Sequence, residues 1–186
     1  TIGKSFWMAD IEVTNAQYSV IFPDHDSRYV DQHWKDHTRP GYAANLPHQP
    51  VIRVSYEDAM SYCNKLSEKT GLTITLPTEA QWEYAARGGR SQSMFPWGNY
   101  YLRNKKGCLM ANFKPGRGNY PEDGGFYTVR ADAYWPNDFG LYNMSGNVAE
   151  WTSSLYYEGA YNFQHDMNPD IRYDAKETDK PRDKRK

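Results

Sequence analysis

The chain of 186 residues has the length of about one domain, and its formal charge of −1 leaves no basic face for nucleic acid. It has no apolar run of about 18 residues or more, so no membrane-spanning helix is predicted. Hydrophobic residues make up only 39% of the chain whereas aromatic residues make up 16%, so we expect rings, including Trp82 and Trp151, to build much of the core. The 14 Gly and 11 Pro predict long loops within an α+β domain.

The first part of the chain predicts two strands and one helix. Residues 6–13 (FWMADIEV) are typical of a strand running into a helix, and Thr14 is a good N-cap for a helix over 15–22. Residues 23–50 hold four prolines and little periodicity, which predicts a loop. Residues 51–55 (VIRVS) predict a short strand.

The strongest helix signal follows this strand. Ser55 is the predicted N-cap, and Asp58 three residues later resembles a capping box with Asp in place of Glu or Gln. Gly71 is the predicted C′ residue, and a strand is predicted at 72–77. The apolar face of the helix consists of Ala59, Met60, Cys63 and Leu66.

A second helix is predicted after the strand at 72–77. It begins at Thr78, where Gln81 completes a capping box, and it ends at Gly88 and Gly89. Residues 90–140 are rich in Gly and Pro, with one predicted strand at 126–130. So long a stretch with little regular structure is more often functional than idle in a compact domain.

The two cysteines do not form a zinc motif. Cys63 and Cys108 stand far apart with no CxxC spacing, and Cys63 lies on the apolar face of a helix. A buried free thiol is therefore favoured over a disulfide. The chain also lacks the GxSxG, HExxH, Walker A and GxGxxG motifs, so no nucleophilic triad, zinc protease or phosphate loop is predicted.

Three histidines, His25, His33 and His37, lie among aspartates in residues 24–37. His33 and His37 are four residues apart, which would suit two metal ligands on one helical face. Pro40 follows closely and no apolar stripe supports a helix, so a solvated loop is the favoured interpretation.

The segment DFGLYNMSGNVAEW (138–151) places polar residues in apolar surroundings. Asn143 and Glu150 offer side-chain oxygens, and Gly146 and Val148 offer carbonyls if the backbone curls. Such a mixed oxygen set suits calcium, which takes six to eight oxygen ligands. The alternative is a turn in which Asn and Glu satisfy backbone donors, and the spacing alone does not separate the two.

A second candidate oxygen set lies in residues 111–125. It consists of the side chains of Asn112 and Asp123 and the carbonyls of Phe113 and Gly125.

Three stretches together, residues 54–71, 76–89 and 138–151, resemble the formylglycine-generating-enzyme or sulfatase-modifying-factor family, with a match over residues 6–155. The resemblance implies an irregular C-type-lectin-like fold, rich in loops and aromatics. It also implies structural calcium at two sites and so favours the ion over the plain turn. The first site would use Asn143, Gly146, Val148 and Glu150, and the second Asn112, Phe113, Asp123 and Gly125.

The enzymes of this family oxidise a substrate cysteine to formylglycine with copper held by two cysteines. Those cysteines follow an RGGSW segment, and neither Cys63 nor Cys108 matches them, so the resemblance implies no catalytic residue in this chain. We therefore expect a chain trimmed at both ends, with a domain over 1–165. The charged residues 166–186 would be an exposed tail leading to a missing C-terminal part.

Residues 101–125, 161–169 and 184–186 resemble, within the family, the K- and J-type gliding-motility or type IX secretion lipoproteins of Bacteroidota. Those proteins are regarded as lacking oxidase activity and as lying at the periplasmic face of the outer membrane. The resemblance implies a structural subunit with other secretion or motility subunits as partners, possible membership of a ring, and a possible lipid anchor upstream of Thr1.

Residues 22–42 instead resemble ordinary sulfatase-modifying factors, which keeps a copper-dependent oxidase as the alternative. A lectin-like binding module is a third interpretation that only the fold suggests.

Overall fold

A computed structural model of the protein describes residues 2–30, 42–91, 93–98, 101–113, 124–125 and 127–156. The chain divides into two units, Thr1–Ser153 and Ser154–Lys186, and the account below concerns the first. Within the described residues there are three helices and one pair of two-residue strands. None of these helices has the length and apolar character needed to cross a membrane.

Helix α1 spans Asn15–Ser19 and begins at the predicted N-cap. The Thr14 hydroxyl accepts a hydrogen bond from the Gln17 backbone N–H at 3.2 Å, and Gln17 Oε1 accepts one from the Thr14 N–H at 2.9 Å. The helix is shorter than the predicted 15–22. Pro23 restricts Phe22, because the residue before a proline disfavours helical dihedrals, but it does not account for the end at Ser19.

Helix α2 spans Tyr56–Thr70, with the predicted cap at each end. Ser55 Oγ accepts from the Asp58 N–H at 3.1 Å, and Asp58 Oδ2 accepts from the Ser55 N–H at 2.9 Å. Gly71 ends the helix with a φ of 71°, a left-handed conformation that glycine adopts without strain. Cys63 on this helix is buried and free, as predicted.

Helix α3 spans Glu79–Ala86 and begins with the predicted capping box of Thr78 and Gln81. A side chain from a distant loop caps its C-terminus, because Asn137 Nδ2 donates to the carbonyl of Ala85 at 2.7 Å. The buried amide therefore fastens α3 to the loop that leads into residues 138–151.

The strand predictions were wrong. Strand β1 (Tyr29–Val30) and strand β2 (Tyr42–Ala43) pair antiparallel, with Tyr29 opposite Ala43, inside the region predicted as loop. No strand forms at the predicted positions 6–13, 51–55, 72–77 and the described part of 126–130.

Residues 6–13 and 51–55 do not pair as strands. They are joined by isolated backbone hydrogen bonds, such as the one from the Val51 N–H to the Val13 carbonyl at 2.8 Å. A loop-rich, irregular fold is thus confirmed. Four strand residues, two in each of β1 and β2, do not establish the α+β class.

Buried side chains gather in two places. Beside α1 and α2, the Tyr18 ring stacks on Tyr62 at 5.0 Å and on Phe22 at 5.1 Å between centroids. Such ring pairs add to the stability that area burial supplies. The core is aromatic at this end, as the composition predicted.

The second buried group is formed between α3 and residues 138–151. Ala85, Leu141 and Met144 form its centre, and Trp82 packs against it while partly buried. The prediction that Trp151 is a core residue was wrong, because 49% of this residue is exposed. Its indole Nε1 instead donates to the carbonyl of Val54 at 3.1 Å.

Candidate metal centre

Three residues with positive φ shape the turn over residues 143–150: Asn143 (50°), Gly146 (93°) and Asn147 (65°). Asn tolerates this conformation better than most residues, and glycine adopts it freely. At Gly146 a Cβ atom would also overlap the carbonyl oxygen of Asn112. The backbone therefore curls tightly at the predicted position, packed against the second predicted oxygen set.

Glu12 is the residue that sequence reasoning missed. It is only 9% exposed, and its Oε2 accepts hydrogen bonds from Nδ2 of Asn143 at 2.9 Å and of Asn147 at 3.0 Å. Its other oxygen, Oε1, is buried without a hydrogen-bond partner among the described residues. The one sequence signal was Glu12, which follows Asp10 in a mostly apolar segment just before a helix cap, a segment that we interpreted as strand.

A buried carboxylate with one unmet oxygen is unstable unless a proton or a cation compensates it. Burial raises the pKa of Glu12 to about 7, although the hydrogen bonds from Asn143 and Asn147 lower it and the charge of Glu150 adds to the rise. Glu12 and Glu150 therefore lie within electrostatic range of each other. A divalent cation between or beside them would relieve this repulsion.

Glu150 is held from the side of α3. Trp82 Nε1 donates to Glu150 Oε2 at 2.7 Å. Glu150 is exposed along part of its surface, yet burial of its carboxyl group raises its pKa, and the bond from Trp82 opposes that rise. This carboxylate is thus oriented before any ion arrives.

The Asn143 amide is oriented as well. Its Nδ2 donates to Glu12 Oε2 and, at 2.8 Å, to the carbonyl of Ala131. With the nitrogen so engaged, Oδ1 is the atom left to bind a cation, and it is the atom type that calcium prefers.

Three of the four residues in the second predicted oxygen set lie within the described residues. Asn112 is buried, and its Nδ2 donates to the carbonyl of Tyr127 and to Asn147 Oδ1. A Cβ on Gly125 would lie 3.5 Å from Asn112 Nδ2, so these two members of the set are neighbours. Phe113 follows Asn112 directly, and Asp123 lies outside the described residues.

The donor types at the turn fit calcium. The candidate donors are two carboxylates, an amide oxygen and the backbone carbonyls of Gly146 and Val148, all of them oxygens, and Glu12 Oε1 has no hydrogen-bond partner among the described residues. In the part of the chain that the structure describes, no group of three His, Cys, Asp or Glu side chains could hold a metal ion.

The histidines give no metal site in the described residues. The ring nitrogen Nε2 of His25 lies 3.0 Å from the carbonyl oxygen of Ile52, and its ring packs edge-on against Tyr18. His33 and His37 lie outside the described residues. His25 therefore serves the aromatic core.

A cavity of about 380 Å³ adjoins the turn, between α3 and residues 93–96. Its charged side chains pair with each other, because Arg87 Nη2 lies 2.5 Å from Glu83 Oε1. Arg87 also donates to the carbonyl of Ser93 at 3.1 Å. The cavity wall is thereby tied to α3, and Met144 and Val148 make the turn its opposite wall.

Comparison with known protein families gives one match over most of the chain. The family described as "Sulfatase-modifying factor enzyme 1-like domain" matches residues 1–178.

Curated relatives carry both active and inactive descriptions. The chain is 44% identical over 110 residues to the formylglycine-generating enzyme of Mus musculus, covering 58% of this chain and 27% of that protein. It is 38% identical over 125 residues to the inactive C-alpha-formylglycine-generating enzyme 2 of Bos taurus, covering 66% and 39%. It is 39% identical over 131 residues to the formylglycine-generating enzyme of Thermomonospora curvata, covering 67% and 40%. The chain therefore spans 27% to 40% of the length of these relatives.

Solved structures share the fold. PvdO from Pseudomonas aeruginosa superposes with a TM-score of 0.59 at 29% identity, covering 82% of this chain and 57% of that one. Treponema denticola variable protein 1 gives a TM-score of 0.56 at 23% identity, covering 76% and 59%. The second likeness concerns the fold alone.

Proposed function

Because this chain belongs to the sulfatase-modifying factor family, we propose that it is a calcium-stabilised, non-catalytic domain with a structural role. The observation that carries the proposal is the buried network around Glu12, in which one carboxylate oxygen has no partner among the described residues. Bound calcium would supply the positive charge that compensates this network. The loops that meet at the turn would then be held by an ion instead of by a large apolar core.

In this proposal each residue of the turn has its own role in binding the ion. Asn143 binds through Oδ1, Glu150 through its carboxylate, and Gly146 and Val148 through their carbonyls. Glu12 keeps the Asn143 amide turned by accepting from its Nδ2 and adds a second negative charge. We propose the second oxygen set of Asn112, Phe113, Asp123 and Gly125 as another calcium site.

The cysteines support a non-catalytic role for these residues. The 186 residues contain two cysteines, Cys63 and Cys108, and both are free. Cys63 is buried, and burial raises its pKa, which favours the thiol over the thiolate that binds copper. Cys108 is exposed, so the two thiols differ in environment and do not form the copper pair of the family's enzymes.

A more specific proposal is that this domain is a subunit of a larger protein assembly. The resemblance of residues 101–125, 161–169 and 184–186 to gliding-motility and type IX secretion lipoproteins suggests a subunit at the periplasmic face of the outer membrane. Its partners would be other subunits of that machine, and a lipid anchor would precede Thr1. This form rests on the sequence resemblance alone.

The second candidate function is a copper-dependent formylglycine-generating oxidase. The identity of 44% over 110 residues to the mouse enzyme supports it. In this alternative the copper-binding cysteines come from a part of the native protein other than these 186 residues.

Two measurements on the native protein separate the candidates. Elemental analysis after extensive dialysis is expected to find calcium and no copper, and mass spectrometry of a cysteine-containing sulfatase peptide is expected to find the cysteine unchanged. Conversion of that cysteine to formylglycine would overturn the non-catalytic role and establish the oxidase. Absence of calcium together with an unchanged melting curve in chelator would overturn the calcium proposal.

A further inference from the structure

Glu12 lies beside both side chains that the turn offers to an ion, although it belongs to neither predicted ligand set. Its Oε2 accepts a hydrogen bond from Asn143 Nδ2 at 2.9 Å. The charge of Glu150 contributes to the raised pKa of Glu12, so the two carboxyl groups interact electrostatically. Only 9% of Glu12 is exposed, and solvent ions screen a buried charge much less than an exposed one.

We propose that Glu12 is a specificity-determining residue, whose buried negative charge makes the turn site favour ions of higher charge. The inference rests on the proposed calcium function. It gives Glu12 a role at the site through its charge, in addition to the hydrogen bonds by which it holds the turn.

The physical basis is that the attraction between a fixed carboxylate and an ion is proportional to the charge of the ion. Asn143 donates to Glu12 through Nδ2 and offers Oδ1 to the ion, so one amide group separates the carboxylate from a predicted ligand atom. Across so short a distance, with an effective dielectric constant of about 20, the attraction changes the affinity by about 5-fold or more for each unit of ion charge.

This role of the charge can be separated from the role of Glu12 in holding the turn. Glu12 Oε2 also accepts from Asn147 Nδ2 at 3.0 Å, so loss of Glu12 would disturb the turn as well as remove a charge. A disturbed turn weakens all ions of one size by a similar factor, whereas a lost charge weakens the more highly charged ion further. Terbium and calcium make this comparison, because terbium is close to calcium in size, takes oxygen ligands and carries three positive charges.

The affinity of the turn site can be measured by luminescence. Trp82 Nε1 lies 2.7 Å from Glu150 Oε2, so terbium luminescence excited through tryptophan should report an ion at the turn. The part of the signal that is lost in Glu150→Ala belongs to this site. Titration with terbium gives the terbium affinity, and competition with calcium at the same pH gives the calcium affinity.

In Glu12→Gln the ratio of terbium affinity to calcium affinity is expected to fall by about 5-fold or more, with both affinities reduced. The first control is Asn147→Gly, which removes a donor to Glu12, keeps the Glu12 charge and allows the φ of 65° without strain. It should leave the ratio within about 2-fold of wild type. The second control is Glu68→Gln, which removes an exposed acid on α2 and should change neither affinity.

The outcomes separate this inference from the calcium proposal. If Glu12→Gln weakens both ions by the same factor, or weakens neither, the selectivity role is overturned while calcium binding stands. A ratio that falls equally in Asn147→Gly also overturns it, because the Glu12 charge is still present in that variant. A wild-type chain that binds neither ion overturns the calcium proposal itself. If circular dichroism shows that Glu12→Gln does not fold, Glu12→Ala replaces it in the same comparison.

Discussion

The indole Nε1 of Trp82 donates a hydrogen bond of 2.7 Å to the Glu150 carboxylate, and this bond joins the middle of α3 to the last predicted ligand of the turn. The two residues are 68 positions apart in the chain. The Trp82 ring also packs against the group of Ala85, Leu141 and Met144. One side chain thus serves both the small apolar core and the orientation of the carboxylate.

Replacing Trp82 with phenylalanine should remove this donor and keep an aromatic ring. Hydrogen bonds to charged groups contribute roughly 1.5–3 kcal/mol, and partial exposure of Glu150 places the expected loss of unfolding free energy near the lower end. Urea denaturation monitored by circular dichroism gives the value. Trp7→Phe is the matched control, because Trp7 is fully exposed and should change stability little. Equal effects of the two changes would contradict a role for the Nε1 bond.

Removing calcium should lower the melting temperature of the wild-type chain. A ligand that binds only the folded state stabilises it by about 2.7 kcal/mol at a hundredfold excess over Kd. Asn143→Ala and Glu150→Ala should melt at lower temperature in calcium than the wild type and lose the part of the chelator response that comes from the turn site. Glu68→Ala, an exposed acid on α2, should behave as wild type. A wild-type melting curve that is the same with and without chelator would refute the site.

Stability of the calcium-free chain should fall as pH rises from about 4.5 to about 7. Burial raises the pKa of Glu12 to about 7 in the folded state, from 4.5 as the ordinary value. Between these values the folded state binds more protons than the unfolded state, so the unfolding free energy decreases with pH. For Glu12 the total decrease is about 3 kcal/mol.

Calcium should reduce or reverse this slope, because the cation favours the ionised carboxylate. Urea denaturation at several pH values, with calcium and with chelator, tests both statements. Glu12→Gln should remove most of the slope in chelator. A slope that persists in Glu12→Gln would assign the titration to another group.

Gly146→Ala should destabilise the chain much more than Gly140→Ala. Both glycines have positive φ, 93° and 81°, so both substitutions carry backbone strain. A Cβ at Gly146 also overlaps the Asn112 carbonyl, whereas nothing lies within 4 Å of one at Gly140. Strain alone costs about 1–3 kcal/mol, and the overlap should add to it. Urea denaturation of both variants measures the difference, and equal losses would contradict the close approach.

Local signals predicted the helices well. The capping boxes at Thr14, Ser55 and Thr78 each involve residues three positions apart, and all three form. Gly71 ends α2 for an equally local reason, its positive φ. Such features depend only on residues a few positions apart, so they can be predicted from the sequence alone.

Strand prediction failed because a strand needs a partner. The alternation in 51–55 and 72–77 indicates extended backbone, but no ladder forms at these positions. The only pair of strands in the described residues lies at 29–30 and 42–43, where proline-rich sequence suggested loop. Whether extended segments pair is decided by distant parts of the chain.

The sequence by itself determined the helices, the family and the polar residues of the turn. Only the tertiary structure brought Glu12 to Asn143 and Asn147, across 131 and 135 positions. Sequence separation carries no information on such a contact, and nothing in the segment 6–13 distinguishes Glu12 from its acidic neighbour Asp10. The burial that raises the pKa of Glu12, and leaves its Oε1 without a partner among the described residues, exists only once the loops have packed.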